Sequence, residues 1–259
     1  SRCRGRNNTN FKLNYMQLKD KKIVVTGASS GIGRAIAIAA AQKGAQVIIA
    51  YHTNKKGAEE TLEQVRLFSD GHIIEVDVCD EESVTNLFST IAAQHGTLDI
   101  LVNNAGDAQP GDIFNSDVWK YQLDNILLSA VRTTQSFLKQ ELSVALRKIL
   151  MIGSYYGTPY GGDGGYMAYS AAKAALHNFA STLAKVDGTV LVNTIAPGYI
   201  WTPAWEGTSE DDKKALEQET IIKRFIEPEE IAAIAIAVLE NDAITGQVIT
   251  VDGGLSLNA

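Results

Sequence analysis

The sequence predicts an α/β fold with one doubly wound parallel sheet of about seven strands and helices on both of its faces. Short runs rich in Val and Ile recur along the 259 residues, as is typical of strands that are buried on both faces. Segments with the apolar spacing of helices lie between these runs. Strand and helix alternate through the chain, and no linker, repeat or low-complexity segment interrupts them, so we expect a single domain.

The predicted elements follow one another in a regular order. The strands cover residues 23–25, 47–50, 73–76, 100–102, 149–152, 190–195 and 248–251. Apolar stripes at helical spacing are formed by Ala58, Leu62, Val65 and Phe68, by Val84, Leu87, Phe88 and Ile91, and by Ile231, Ala235, Val238 and Leu239. Longer helical patterns are expected over about 118–142 and over the charged segment 205–224.

Composition excludes several classes of protein. Apolar residues make up 45% of the chain and charged residues 20%, which is ordinary for a globular protein in water. No run of about twenty apolar residues exists, so no membrane span is predicted. The two cysteines, Cys3 and Cys79, form no disulfide framework, which fits a reducing cytoplasm.

Residues 1–15 differ from the rest of the chain. They hold four basic residues and no acidic one, so we expect a disordered tail or an added leader before a folded domain at 16–259, with Met16 as the natural start. The body without this tail carries 19 basic and 30 acidic residues and a net charge of −11. Because non-specific binding to nucleic acid depends on a cationic surface, no nucleic-acid partner is expected.

Tyr169 and Lys173 are the first candidate catalytic pair. Four positions separate them, so on a helix both side chains rise from one face. A free phenol titrates near pH ~10 and is a poor proton donor or acceptor at neutrality. A cation nearby favours the phenolate and lowers that pKa, so the pair has a use in proton transfer. Standing alone, the spacing also occurs often by chance.

A glycine-rich turn follows the first strand and opens a helix. It reads Thr26-Gly27-Ala28-Ser29-Ser30-Gly31-Ile32-Gly33. Glycines let the backbone approach a phosphate, and the helix N-terminus attracts the phosphate charge. The alternative is a plain turn between strand and helix, because such a pattern alone is a weak signal.

Other polar and small residues fall where strands end, the edge at which open α/β sheets bind ligands. Asp77 and Val78 close the third strand, where Asp77 can accept a bond from adenine or, alternatively, caps the next helix. Asn104, Ala105 and Gly106 follow the fourth strand and leave room for a ligand.

Three later positions complete the pattern. Ser154 follows the fifth strand, where most serines are only turn formers. Pro197 and Gly198 follow the sixth strand, and Thr202 comes shortly after. Asn125 lies in the long helical stretch, where an asparagine alone says little.

Together these residues resemble the short-chain dehydrogenase/reductase family over about residues 17–256. The resemblance implies a Rossmann-like domain and, within the family, greatest similarity to 3-oxoacyl-acyl-carrier-protein reductases and their sugar- and alcohol-oxidising relatives. It implies an oxidoreductase acting on a carbonyl or secondary alcohol with a nicotinamide cofactor. No metal site is implied.

The resemblance also assigns roles. Tyr169 would be the general acid or base, Lys173 would lower its pKa and hold the nicotinamide ribose, and Ser154 would bind the substrate oxygen. Asn125 would anchor a water linked to Lys173. The residues that would bind the cofactor are Gly27, Ser29, Ser30, Gly31, Ile32, Gly33, Tyr51, His52, Thr53, Asp77, Val78, Asn104, Ala105, Gly106, Tyr169, Lys173, Pro197, Gly198, Ile200 and Thr202.

The end of the second strand favours NADP over NAD. NAD-preferring members carry an acidic residue there, whereas this chain has Tyr51 followed by His52, Thr53 and Asn54, with no acidic residue before Glu59. These residues can donate hydrogen bonds to a 2′-phosphate, and Lys55 or Lys56 can supply charge. Ser30 is the opposing observation, since NADP-preferring relatives often have a basic residue there.

Two departures from the family bear on the substrate. Ser154 and Tyr169 lie farther apart than is usual, and the excess coincides with the glycine loop 161–165, which shapes the substrate mouth or is only a surface loop. The connection 185–188 is short and lacks the basic residue that helps dock an acidic carrier, although Arg132 matches the other basic contact. A small-molecule substrate is therefore favoured over a carrier protein.

The remaining expectations concern the pocket and the assembly. Aromatic residues near the site suit an apolar or cyclic substrate or, equally, a packed lid; they are Tyr155, Tyr156, Tyr160, Tyr199, Trp201 and Trp205. Segment 199–226 is expected to be a mobile substrate lid. The Asn125 and Tyr169 helices are apolar on more than one face, so a second side is expected to be covered; the apolar residues are Ile126, Leu127, Ala130, Val131, Ala174, Ala175 and Leu176. The resemblance implies that these two helices are buried at a two-fold interface, and we therefore expect a homotetramer.

Two further functions stay open. One is 3-oxoacyl-acyl-carrier-protein reduction specifically. The other is a dinucleotide-binding regulator or scaffold without turnover, against which the complete set of Asn125, Ser154, Tyr169 and Lys173 argues.

Overall fold

A computed structural model describes residues 16–141, 146–186 and 188–258. The tail at 1–15 lies outside these residues. Seven strands are present in the described ranges: β1 Lys22–Thr26, β2 Gln46–Tyr51, β3 Gly71–Glu75, β4 Ile100–Asn103, β5 Arg147–Ile152, β6 Val190–Pro197 and β7 Val248–Val251. The expected single-domain parallel sheet is confirmed, because all seven strands pair in parallel.

The order of the strands creates the crevice for a ligand. They are arranged β3-β2-β1-β4-β5-β6-β7, so the chain first winds outward from β1 to β3 and then returns to pair β4 on the other side of β1. The connections diverge at the carboxyl ends of β1 and β4. In open α/β sheets this reversal point is where ligands bind.

Eight α-helices flank the sheet in the described residues. They are α1 Gly31–Gln42, α2 Lys55–Val65, α3 Glu81–His95, α4 Ser116–Gln122, α5 Ser129–Leu138, α6 Met167–Leu183, α7 Glu210–Glu219 and α8 Pro228–Glu240. Helices α1, α2 and α8 contribute to one apolar core, and α3, α5 and α6 to the other. Within β2, for example, Ile49 faces the first core and Ile48 the second, as the two-residue period of a strand requires.

Two elements differ from the sequence-based prediction. Strand β3 ends at Glu75, so Asp77 lies in the loop beyond the strand, and Asp80, whose side chain accepts from the Ser83 amide, caps α3 instead. The long helix expected over 118–142 is interrupted, since a π-helical segment, Leu123–Leu128, separates α4 from α5. Such segments are rare and often lie at functional sites.

No helix in the ranges that the structure describes combines the length and apolar character needed to cross a membrane.

Candidate active site

The glycine turn after β1 forms a backbone cradle at the start of α1. Gly27 and Gly31 have φ angles of +64° and +54°, a region that L side chains rarely adopt. A Cβ atom at Gly33 would lie 2.6 Å from the Gly27 carbonyl oxygen and 2.5 Å from the Asn104 side-chain nitrogen. The turn therefore requires glycine at these positions, and the α1 N-terminus beside it suits a phosphate.

The loop after β4 holds this turn in place. The Asn104 side chain donates hydrogen bonds to the carbonyl oxygens of Thr26 (2.9 Å) and Gly27 (3.1 Å). The Thr26 hydroxyl in turn accepts from the backbone amides of Asn104 and Ala105, each at 3.0 Å. The ends of β1 and β4 are thus joined at the predicted crevice, and the Asn104 side chain supports the turn.

Arg34 supports the turn from the other side. Its guanidinium donates to the carbonyl oxygens of Ser29 (2.7 Å) and Gly57 (3.0 Å) and to the Thr61 hydroxyl (3.0 Å). A Cβ atom at Gly57 would lie 2.4 Å from the Ser29 carbonyl oxygen. Helix α2 therefore packs directly against Ser29, a contact that no pattern in the sequence predicts.

The adenosine end requires one correction. Strand β2 ends at Tyr51 as predicted, but the Tyr51 ring is only 5% exposed and lies in the core on the α1–α2 side of the sheet. Its hydroxyl lies 3.5 Å from the Glu75 carboxylate. Strand alternation turns this side chain into the core, so His52, which is exposed and 3.9 Å from Asp77, is the first side chain available to a ligand.

The loop after β6 reaches the glycine turn. A Cβ atom at Gly31 would contact the Thr202 methyl group at 3.2 Å. The Gly198 amide donates to the Val251 carbonyl oxygen at 3.0 Å, and buried Ile200 pairs with Ile226. The predicted residues of this loop therefore lie along the same crevice as the cradle.

Helix α6 carries the predicted catalytic pair to the end of β5. Lys173 is 5% exposed, and its Nζ donates to the Ile152 carbonyl oxygen at 2.8 Å. It lies 5.6 Å from the centre of the Tyr169 ring. Burial lowers the pKa of Lys173 to about 8, because removing an ammonium from water disfavours its charged form.

The expected lowering of the Tyr169 pKa is not found in the structure. Burial raises the pKa of Tyr169 to about 12, an interaction with the Ser154 hydroxyl opposes the rise, and the charge of Asp107 adds to it. The Lys173 ammonium is directed at Ile152 instead of the phenol oxygen, which is why burial prevails. At neutral pH Tyr169 is therefore protonated.

Ser154 is fixed by its backbone and its side chain. Its amide donates to Nε2 of His177 at 3.3 Å, and its carbonyl oxygen accepts from the Gly157 amide at 3.0 Å. Its hydroxyl accepts from the Tyr156 amide at 3.2 Å. Ser154 thus starts a short 3₁₀ turn, as the turn-forming alternative proposed, and also lies against Tyr169.

Asn125 lies buried in the π-helical segment. Its side-chain nitrogen donates to the Asp107 carboxylate, which also accepts from the Tyr121 hydroxyl at 2.7 Å. Its carbonyl oxygen accepts from the Ser129 hydroxyl at 2.6 Å. Asn125 is therefore not a solvated helix position. Asp107 was not among the predicted site residues. Its place directly after Gly106, a predicted cofactor contact, is the sequence signal that could have identified it.

A small cavity lies beside Lys173. Its volume is about 10 Å³, which is enough for about one water molecule. The polar residues of its lining are Thr26, Asn103, Ser129, Thr133 and Lys173, and the apolar ones are Val78, Ala105, Ile126, Ala130, Ile152 and Leu176. It lies between Lys173 and the segment around Asn125, the place where the resemblance puts a water.

The glycine loop 161–165 is tied to its surroundings. The Tyr156 hydroxyl donates to Asp163 at 2.6 Å, and the Gly111 amide donates to the Gly165 carbonyl oxygen at 2.8 Å. A Cβ atom at Gly161 would lie 2.0 Å from the Tyr155 carbonyl oxygen. The loop therefore packs on the residues that follow Ser154, which favours a place at the mouth of the site over a detached surface loop.

An aromatic group joins the site to segment 199–226. The Tyr155 hydroxyl donates to the Tyr199 hydroxyl at 3.3 Å, and Tyr199 donates to Glu219 of α7 at 2.7 Å. The Phe225 ring centre is within 6.0 Å of those of Tyr199, Trp201 and Trp205. Helix α7 contributes no buried residue, so its contacts with the site are few.

No group of three or more metal-binding side chains occurs among the residues described by the structure.

Comparison with known proteins finds a family model that covers most of the chain. The model described as "Enoyl-(Acyl carrier protein) reductase" matches residues 27–256. The 3-oxoacyl-[acyl-carrier-protein] reductase FabG of Escherichia coli is 34% identical over 247 residues, which cover 93% of this chain and 99% of the relative. Glucose 1-dehydrogenase 2 of Bacillus subtilis is 31% identical over 257 residues, with coverages of 94% and 97%.

A solved structure agrees with these sequence matches. The Pseudomonas aeruginosa RhlG/NADP active-site complex aligns with a TM-score of 0.86 at 28% identity, over 93% of this chain and 98% of that one.

Proposed function

The chain belongs to the short-chain dehydrogenase/reductase family, and we propose that it reduces a small carbonyl compound to the alcohol with NADPH. It is an oxidoreductase that depends on a nicotinamide cofactor. The observation that carries the proposal is the convergence of Tyr169, Lys173 and Ser154 at the carboxyl end of β5, which only β4 separates from the strand that leads into the glycine cradle. Tyr169 holds its proton at neutral pH, so the phenol can give that proton to the substrate oxygen as the hydride is transferred.

The residues of the crevice fit a dinucleotide. The cradle formed by Gly27, Gly31 and Gly33 leaves the backbone open to a pyrophosphate. His52 and Asp77, whose side chains lie 3.9 Å apart, would hold the adenosine portion, and Thr202, which contacts Gly31, would hold the nicotinamide portion. When bound, the reduced cofactor supplies the hydride.

The proton and the developing charge are handled by side chains of this protein. The Ser154 hydroxyl would donate to the carbonyl oxygen of the substrate and stabilise its growing negative charge. Tyr169 would donate its proton to the same oxygen. Lys173 would hold the ribose hydroxyls and, as an ammonium, favour the phenolate that remains. The π-helical segment of Asn125, which lines the small cavity through Ile126, would help keep a water beside Lys173, so that the site can be reprotonated from solvent.

The environment of His52 supports NADP as the preferred cofactor. The side chains of His52, Thr53 and Asn54 at the end of β2 are exposed and include hydrogen-bond donors. Lys55 and Lys56 are also exposed and bring positive charge to the start of α2. Asp77, 3.9 Å from His52, opposes this preference, since its carboxylate repels a phosphate. The RhlG structure was solved as an NADP complex.

The pocket supports a small apolar or cyclic substrate. Tyr155, Tyr156 and Tyr199 lie beside the Tyr169–Ser154 pair and offer aromatic surface. Glucose 1-dehydrogenase 2, by its name, acts on a small cyclic compound.

Reduction of a 3-oxoacyl group on a carrier protein is the second candidate, because several relatives carry that name. Arg132, the basic residue that matches their carrier contact, is directed at Asp124 of its own chain at 2.6 Å. This ion pair makes Arg132 less available to an acidic carrier.

A redox-sensing scaffold without turnover is disfavoured, because Ser154, Tyr169 and Lys173 converge on one point.

We further propose that the protein acts as a homotetramer in the cytoplasm. Of the apolar residues that suggested an interface, Ile126, Ala130 and Leu176 are buried within the protomer, whereas Ala174 is exposed. Leu123, Leu128 and Met167 add exposed apolar surface on the same helices. Members of the family bury these helices at a two-fold interface, which supports the proposed assembly. The free thiol of Cys79 suits a reducing compartment.

The role of Tyr169 is tested by replacing it with Phe. The variant keeps the ring and loses the only titrating atom, so kcat should fall by about 10²–10⁴-fold while NADPH binding, followed by fluorescence, stays the same. Tyr166→Phe, three residues earlier, is the matched control and should keep its activity. Near-normal turnover of Tyr169→Phe on every carbonyl substrate would exclude Tyr169 as the proton donor.

Cofactor choice is tested by comparing kcat/KM for NADPH and NADH on one substrate. The wild type should prefer NADPH, and His52→Asp should shift the ratio toward NADH by about 10–100-fold, because a new carboxylate repels the 2′-phosphate. Gln94→Asp adds the same charge on α3 and should leave the ratio unchanged. A wild type that prefers NADH, or an equal shift in both variants, contradicts the assignment.

Assembly is tested by light scattering at micromolar concentration. A mass of four chains of 27.9 kDa is expected, and Leu128→Lys should lower it, because a charge on a buried apolar interface carries a desolvation cost. A stable wild-type monomer would refute the tetramer without affecting the proposed chemistry.

A further inference from the structure

His177 extends the catalytic face of α6 by one more turn. It lies four residues after Lys173 and eight after Tyr169, so the three side chains share one stripe of the helix. Its side chain is only 7% exposed. The reaction outlined above gives no role to this buried titratable group.

The imidazole contacts the backbone on which Ser154 is carried. Nε2 accepts from the Ser154 amide at 3.3 Å, and the ring also interacts with the Gly157 backbone. Cβ atoms added at Gly153 and Gly157 would lie 2.2 Å and 2.8 Å from ring atoms of His177. The turn from 153 to 157 is therefore shaped around this ring, with glycine where the ring passes.

The contact also defines the state of the ring. Because Nε2 accepts a hydrogen bond, the ring proton must lie on Nδ1 and the imidazole is neutral. Burial and the charge of Lys173 lower the pKa of His177 to about 4. The ring therefore remains an acceptor across the neutral range.

We propose that His177 is a positioning residue that fixes Ser154 for catalysis through its backbone amide. This rests on the role given to Ser154 in the proposed function. Tyr169 and His177 then act from the same helix, Tyr169 on the hydroxyl side of Ser154 and His177 on its amide side. If α6 shifts relative to β5, Tyr169 and Ser154 move together. The distance between the proton donor and the hydroxyl that binds the substrate oxygen is therefore preserved.

The physical reason is the satisfaction of a buried donor. Without an acceptor at position 177, the Ser154 amide would lie buried and unpaired, and the turn would move to find another partner. A displacement of about 1 Å at a reacting group can reduce turnover about 10²-fold. The alternative is that His177 only fills space between α6 and β6.

Substitutions at position 177 distinguish the two roles. His177→Gln keeps an acceptor that can reach the Ser154 amide. His177→Leu keeps much of the volume and removes the acceptor, and His177→Asn keeps a polar group that is too short to reach. Thr194→Val is the matched control, since the Thr194 methyl group packs under Gly153 and its buried hydroxyl has no hydrogen-bond partner among the described residues.

We expect kcat for a carbonyl substrate to fall about 10–100-fold in His177→Leu and His177→Asn, with the KM for NADPH unchanged, and to remain near wild type in His177→Gln and Thr194→Val. In a Ser154→Ala background, His177→Leu should cost little further activity, because the hydroxyl that it positions is gone. Hydrogen exchange of the Ser154 amide, measured by mass spectrometry, should rise in the Leu and Asn variants only.

Equal kcat in the Gln and Leu variants, or unchanged exchange of the Ser154 amide in both the Leu and Asn variants, would overturn the positioning role. A full additional loss in the Ser154→Ala background would also overturn it. If the wild type reduces no carbonyl compound, the proposed function fails, and the exchange measurement still decides whether His177 holds Ser154.

Discussion

The hydrogen bond from Lys173 Nζ to the Ile152 carbonyl oxygen is the interaction on which the site depends. The bond is 2.8 Å long and joins the catalytic helix α6 to the end of β5. The substrate oxygen is expected at this strand end. A buried ammonium is costly unless it is hydrogen-bonded, so this bond fixes where α6 lies. Tyr169, one turn earlier, and His177, one turn later, then take their places on either side of Ser154.

On the cofactor side of the crevice, backbone carbonyl oxygens are likewise paired with side-chain donors. Asn104 and Arg34 donate to carbonyl oxygens of the glycine turn, so these carbonyls are bonded from within while the α1 N-terminus stays open. The result is a rigid cradle that meets Thr202 across the crevice. The Lys173–Ile152 bond lies at the end of β5, the strand that pairs with β4.

Much of this arrangement could be predicted from the sequence, because it follows from local patterns. Buried strands, glycine positions and the Tyr169–Lys173 spacing are each visible within a few residues. What could not be predicted depends on distant partners. The π-helical segment around Asn125 is tied to Asp107, which is 18 positions earlier, and the rise in the Tyr169 pKa depends on burial that only the fold creates. The Tyr51 side chain, for which a ligand contact was predicted, is turned into the core by strand alternation.

The most direct test is the pH dependence of kcat/KM for NADPH, which reports groups of the free enzyme. With a Lys173 pKa of about 8, the ammonium is present below that pH and is lost above it. We expect kcat/KM to be constant at lower pH and to decline about tenfold per unit above about pH 8. The decline should disappear in Lys173→Arg, because arginine keeps its proton. A profile that stays flat through pH 8, or the same decline in Lys173→Arg, would contradict the account.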